Sequence, residues 1–344
     1  MTGPPELRPP FPPSWINRLY AAIDRLPGPA WIAYTAATVL LVLLAMWTDQ
    51  FVDPPGLPQP TAYSAVIALF PLALIHYLDG VARSCLRSFR PALSLSDPEV
   101  DRLSNELTTL PRGAARVVSL VGVGIAFLGL LVSPEEMLGP PEIPNALSIV
   151  GFVGVVFGYM TFALLFYHTV RQLRLVSAIH ARAASVNLFQ PQPLYAFSTL
   201  TLRTAVALVL LSYYIVAVSS GVSMGPATVG LLGINLSLAV VLFTLPLYGM
   251  HTRLREEKNR LMGTVSGRIE GVLSSLHRAL EEPVAGQIDM LNKGLASLLV
   301  ERDLIVKSPT WPWTPGTVRA FASSALLPIA LWLITRALES SIGR

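Results

Sequence analysis

Charge is scarce in this chain. Only 13% of its 344 residues are Asp, Glu, Lys or Arg, while 52% are hydrophobic, and an ordinary soluble domain carries about a quarter charged residues. With a mean hydropathy of +0.55, the composition excludes a water-soluble globule and points to a polytopic membrane protein. Cysteine is scarcer still. Cys85 stands alone, which excludes an internal disulfide and any multi-cysteine metal site; it is read as an inert thiol, with reversible acylation as the alternative. HExxH, a Walker loop and a GxGxxG at a strand-to-helix turn are all missing, so metal and nucleotide enzymes are not expected. Gly221-Val222-Ser223-Met224-Gly225 spells GxSxG, but a nucleophile elbow needs a strand before it, and this one lies between two apolar runs. No enzyme and no cofactor are expected.

What the chain does have is long apolar runs. They are Ala30 to Thr48, Thr61 to Leu78, Ala114 to Ser133, Ala146 to Tyr167, Thr204 to Ser220, Val229 to Met250 and Thr317 to Thr335. Each approaches the ~17–25 residues a transmembrane helix needs. The first 29 residues hold Pro4, Pro5, Pro9, Pro10, Pro12 and Pro13, which favours polyproline II or disorder; Trp15 to Leu26 then reads as a short interfacial helix. A cleavable signal peptide is not expected, and the first run reads as a signal anchor.

Orientation follows from the connections, because Lys and Arg are retained on the cytoplasmic side. Asp49 to Pro60, Pro134 to Pro144 and Gly221 to Thr228 contain no Lys or Arg. The alternate connections hold Arg83, Arg87, Arg90, Arg102, Arg112 and Arg116, then Arg171, Arg174, Arg182 and Arg203, then the basic residues between Arg253 and Lys307. The expected fold is therefore an all-α bundle of seven crossings in the plasma (cytoplasmic) membrane, N-terminus inside and C-terminus outside. The expected divisions are a proline-rich tail (1–29), a six-span bundle (30–250), a cytosolic amphipathic hairpin (251–308) and a Trp-Pro segment with the seventh span (309–344).

The hairpin rests on periodicity. Past Met250 the apolar pattern continues as Leu254, Leu261, Val265, Ile269, Val272, Leu276 and Leu280, in steps of three, four and seven that keep one helix face oily. It breaks at Glu281-Glu282-Pro283 and resumes as Val284, Ile288, Leu291, Leu295 and Leu298. One helix from Val229 to Leu280 would be roughly 75 Å long, against an apolar bilayer thickness of roughly 30 Å, so more than half of it stands in the cytosol. Ser96-Asp97-Pro98-Glu99 marks the start of a short surface helix in the first inside connection.

Several residues stand out within this frame. Gly151, Gly154 and Gly158 in the fourth run, and Gly122 with Ala126 in the third, have the spacing of close helix packing in lipid. His76 and Asp79 are three residues apart at the inner end of the second run, a candidate ion-linked pair, since ionisable groups at such depth are costly to bury; His168 and Arg171 lie at similar depth. Tyr213, Tyr214, Asn235, Ser237, Thr244, Ser323 and Ser324 are candidate lining for a polar path. Pro71, Pro246 and Pro328 each free a backbone carbonyl inside a helix. Trp311 and Trp313 suit the headgroup layer.

Seven crossings, an inside N-terminus and a final region split into an inner amphipathic helix and a span resemble the arrangement of the insect odorant and gustatory receptor channels. The family's Tyr and Gln-Phe positions have no match in Phe321 to Thr335, so the likeness is one of topology and implies no residue roles. Functional expectations are an oligomeric ion channel or receptor-channel with a cytosolic helical anchor, a noncatalytic scaffold or sensor, or a secondary transporter. Expected partners are the lipid bilayer, further copies of the chain and a cytosolic protein at residues 251–305; nucleic acid is not among them.

Overall fold

The computed structural model describes residues 12–49, 60–132, 145–182, 188–189, 192–218, 226–281 and 286–326. Among them the chain is helical, with no β-strand. Nine helices have defined bounds: α1 (Trp15–Ile23), α2 (Ala30–Asp49), α3 (Pro60–Phe89), α4 (Asp97–Thr108), α5 (Arg112–Val132), α6 (Asn145–Ala181), α7 (Ala196–Val218), α8 (Pro226–Glu281) and α9 (Gln287–Lys307). Residues 315–326 are helical as well.

Among the described residues, four stretches are long and apolar enough to cross a membrane: Arg112–Val132, Phe152–Ala181, Pro193–Tyr214 and Gly233–Glu281, with a shorter apolar one at Ala30–Leu44. They coincide with the third, fourth, fifth, sixth and first predicted runs. The second run lies within α3, whose Pro71 sits inside the helix. The last run is helical over 315–326, and the rest of it, with Pro328, lies outside the described residues. The fold is thus all-helical with four membrane-length apolar helices. The side chains of Leu120, Leu128, Leu131 and Val132 on α5 are 60–81% exposed, an apolar surface suited to lipid and not to water.

Local chemistry explains where the helices begin and end. The Ser14 hydroxyl accepts the Asn17 N–H at 3.4 Å and caps α1. Gly28, at φ 105°, turns the chain between α1 and α2 in a conformation few other residues adopt. α4 begins at the expected Ser96-Asp97-Pro98-Glu99, with proline in its first turn, and Ser96 and Glu99 close a capping box there. α9 starts at Gln287, three residues later than the apolar pattern predicts, because Gly286 stands at φ 80° and no helix continues through that conformation.

α3 is the hub, packing on α2, α4, α6 and α7, while α5 packs on α6 and α8 on α6, α7 and α9. At the arginine-rich end of α3, Leu78, Leu86, Phe89, Ile179 and Phe197 are almost wholly buried. α1 belongs to this core through Ile16 and Tyr20, so the helix after the prolines docks on the bundle. The expected small-residue face is there: Gly122, Ala126 and Gly158 are buried, and a Cβ on Gly122 would meet the Met160 Cα at 2.6 Å. Gly154 is half-buried; Gly151 lies in α6, its packing outside the described residues.

α8 runs for 56 residues without interruption, about 84 Å. α9 folds back along it. Val265 is buried in the seam, with Ile269, Val272 and Leu276 half-buried on α8 and Ile288, Leu291, Leu295 and Leu298 half-buried on α9, whereas Leu280 is exposed; Leu254 and Leu261, earlier on α8, join the bundle core. The Lys258 ammonium donates to the Val306 and Ser308 carbonyls at 2.6 and 2.9 Å, satisfying acceptors that the end of α9 leaves open.

Candidate functional site: a buried histidine and carboxylate network

His76 and Asp79 do not pair with each other. One turn of α3 separates them, and each takes partners from a different neighbour. His76 Nε2 lies 3.1 Å from the Asp24 carboxylate just after α1, its Nδ1 lies 3.2 Å from the Tyr34 hydroxyl on α2, and its ring stacks on Tyr20 at 4.5 Å. The Tyr20 hydroxyl donates to the Leu72 carbonyl at 3.0 Å. Burial, reinforced by the nearby Asp79 charge, pushes the Tyr20 phenol well above its ordinary range, so it stays a donor.

Asp79 faces α6. Its Oδ1 lies 2.7 Å from His168 Nε2 and accepts from Gln172 Nε2 at 3.2 Å; Gln172 also donates to the Leu107 carbonyl of α4 at 3.4 Å. Asp79 and His168 are 2% and 1% exposed. An ionised carboxylate only accepts, so His168 presents a proton on Nε2, and its Nδ1 is left as the variable nitrogen. That Nδ1 is buried and has no hydrogen-bond partner among the described residues. Arg171, one turn on, donates to the Thr109 carbonyl at 3.0 Å and lies within the electrostatic reach of Asp79.

A third histidine went unnoticed in the sequence. His180 on α6 sits between Phe89 and Phe197, with ring centroids 5.4 and 5.3 Å away. Its Nδ1 donates to the carbonyl of Pro246 at 3.3 Å, within α8. Cys85 is buried beside this core, and burial pushes its thiol up to about 11.

On the other side of α3 an open groove of about 660 Å³ runs between α2 and α3. Trp31, Tyr34, Phe70, Leu74, Tyr77 and His76 line it, and Arg203 closes its arginine-rich end. The Arg203 guanidinium rests 5.5 Å from the centre of the Tyr77 ring.

The predicted polar lining is dispersed. Ser237, Thr244 and Ser324 donate to the Gly233, Val240 and Phe321 carbonyls of their own helices at about 2.8 Å. Tyr213 packs on Ala205, Val209, Ala239 and Phe243; Tyr214 and Asn235 are half-buried and Ser323 is exposed. None of the seven lines the groove. Trp311 and Trp313 stack on each other at 4.3 Å, with His251 of α8 at 4.0 Å from Trp311 and Phe243 at 5.4 Å from Trp313. The His251 Nδ1 also donates to the Thr310 carbonyl at 3.0 Å. The tryptophans therefore clasp the exit of the hairpin to α8.

Among the described residues no three His, Cys, Asp or Glu side chains converge in a way that would hold a metal ion. His168 and Gln172 are separated from Asp79 by 89 and 93 residues, so no local motif announces the network; the one sequence signal is an imidazole at the end of an apolar run. Set against protein-family models, curated proteins and solved structures, the chain matches none of them, and its function has to be argued from this geometry alone.

Proposed function

We propose that the chain is a multi-pass transport protein of the cytoplasmic membrane, in which the Asp79–His168 pair takes up and releases a proton as the helices around it rearrange. The observation that carries this reading is the burial of the pair. Removing ions from water costs several kcal/mol per ion, and apolar side chains of similar volume would join α3 to α6 at no such penalty. Ionisable groups kept at this depth mark ion or proton pathways, and imidazole is the side chain whose ordinary titration falls between about pH 5 and 8.

The groups around the pair are Gln172 and the Arg171 guanidinium on α6, and Tyr20, Tyr34, Asp24 and His76 toward α1 and α2. Amide hydrogen exchange of the reconstituted protein between pH 5 and 8 tests the reading. Wild type is expected to change protection across α3 and α6, His168→Gln to lose that change and His76→Gln to keep most of it. A pattern indifferent to pH, or one unaltered in His168→Gln, overturns it.

The oligomeric channel is the second reading, favoured by the unbroken run of α8 from an apolar stretch into the hairpin, which would transmit a cytosolic movement to the membrane. Single-channel currents from reconstituted protein would support it, and a closed monomer without conductance would end it. Both readings take seven crossings with the hairpin inside. In a Cys85→Ser background, Ser297→Cys is expected to resist an impermeant thiol reagent on intact cells and to react once they are opened; labelling on intact cells reverses the topology.

A further inference from the structure

We infer that the groove between α2 and α3 is a binding site for one anionic phospholipid of the arginine-rich leaflet, an acyl chain lying between the helices and the phosphate on Arg203. The inference rests on the membrane reading, and proton-linked transport plays no part in it.

The shape is suited to an acyl chain. At about 660 Å³ the groove falls within the ~300–1,000 Å³ range of ligand sites, and its walls are chiefly apolar, with Phe70, Ala73 and Leu74 contributed by α3 and Ala30 and Trp31 by α2. It is open along one side, which a long flexible chain tolerates and a compact polar solute does not.

Charge selects the head group. Arg203 is exposed, and it has no acidic partner among the described residues; its contact is the face of Tyr77, which holds the guanidinium at the groove's mouth. Arg87 follows Gly80 and Ser84 at steps of four and three, so it extends the same stripe of α3 one turn beyond the groove. It too is without a salt bridge among the described residues. A guanidinium presents paired donors that match phosphate oxygens, and Trp31 with Tyr77 at the mouth is the aromatic pattern of the membrane interface. A zwitterionic lipid would place its own cation beside Arg203, whereas an anionic one supplies the missing counter-charge.

Native mass spectrometry of the full-length protein, with phosphatidylglycerol and phosphatidylcholine of identical acyl chains, tests this. Wild type is expected to retain phosphatidylglycerol about fivefold better for each guanidinium engaged. Arg203→Gln should bring the ratio close to one, and Arg203→Lys should keep part of it. Gly80 has nothing within 4 Å of a built Cβ, so Gly80→Leu should fold normally, project into the groove and lower retention of both lipids. Equal retention of the two lipids by wild type, an unchanged ratio in Arg203→Gln, or full binding to Gly80→Leu each overturns the assignment. Displacement of the bound lipid by soluble glycerol phosphate would also overturn it, since the head group alone would then be the ligand. The pH-dependent exchange of α3 and α6 is read separately, so failure of one proposal leaves the other standing.

Discussion

The arginine-rich end of the bundle and the α8–α9 hairpin are both made of long helices, yet they bury side chains in different ways. At the end of α3, neighbours on several sides enclose the helix, and Ile75, Leu78, Phe89 and Phe197 are at most 1% exposed. In the hairpin a single seam is covered; Met290, Leu299, Val300 and Leu304 are 47–65% exposed on α9. The enclosed region can hold polar groups because other helices bring fixed partners to them: His168 and Gln172 of α6 meet Asp79 of α3, and the Tyr20 hydroxyl of α1 meets the Leu72 carbonyl. A two-helix seam offers no such surroundings: Lys258 reaches the Val306 and Ser308 carbonyls at its end, and the ion pairs Lys293 with Asp289 and Lys307 with Asp303 lie along the exposed surface of α9 itself. Enclosure therefore decides where buried chemistry can be kept.

Breaking the enclosed network should have the largest effect. Asp79→Ala leaves His168 and Gln172 facing an empty position and is expected to cost about 3–5 kcal/mol, the usual penalty for removing one partner of a buried pair; Asp79→Leu combined with His168→Leu should recover most of it. Thermal unfolding in detergent reads both, and a loss below about 1 kcal/mol would erase the contrast with the hairpin. In the seam, Val265→Ala should cost about 1.5–3 kcal/mol, while Leu280→Ala, at 60% exposure, should stay within about 0.5 kcal/mol. Protection of α9 amides distinguishes the two.

The α5–α6 contact sharpens the comparison with a graded pair. A methyl on Gly122 meets backbone of α6, the Met160 Cα at 2.6 Å and the Tyr159 carbonyl oxygen at 2.7 Å, so Gly122→Ala must separate the helices at about 1–3 kcal/mol. Gly124→Ala, with nothing within 4 Å, should instead gain up to about 1 kcal/mol from helix propensity. The smallest effect belongs to the exposed cap of α4. Hydrogen bonds from the Ser96 hydroxyl and backbone N–H hold the Glu99 carboxyl below its ordinary range, so its contribution is complete above the unfolded carboxylate's pKa and fades as pH falls through the lowered value. Amide exchange at Ser96 should follow that titration in wild type and become flat with pH in Glu99→Gln.

How much of this was legible depended on how local the signal was. The length of α8 and the oily stripe of the hairpin could be read directly, since a period of three and four survives from Leu254 to Leu276 whatever surrounds it. The cap of α4 needs only Ser96 and Glu99. The docking of α1 could not be read, because Ile16 and Tyr20 look the same whether they face lipid or protein. The proximity of His76 and Asp79 in sequence invited a pairing that geometry divides: each side chain leaves α3 in its own direction and meets a group supplied from another helix. Trp311 and Trp313 suit a headgroup layer by composition, and only the fold brings His251 and Phe243 against them.

The double engagement of α3 carries a mechanical consequence. His76 borders the groove and Asp79, a turn later, is held by α6, so both are spokes of one rigid axle. A rotation of α3 would therefore move both at once, the imidazole against Tyr20 and Asp24 and the carboxylate against His168 and Gln172. One backbone carries the wall of the groove and the partner of the sealed imidazole.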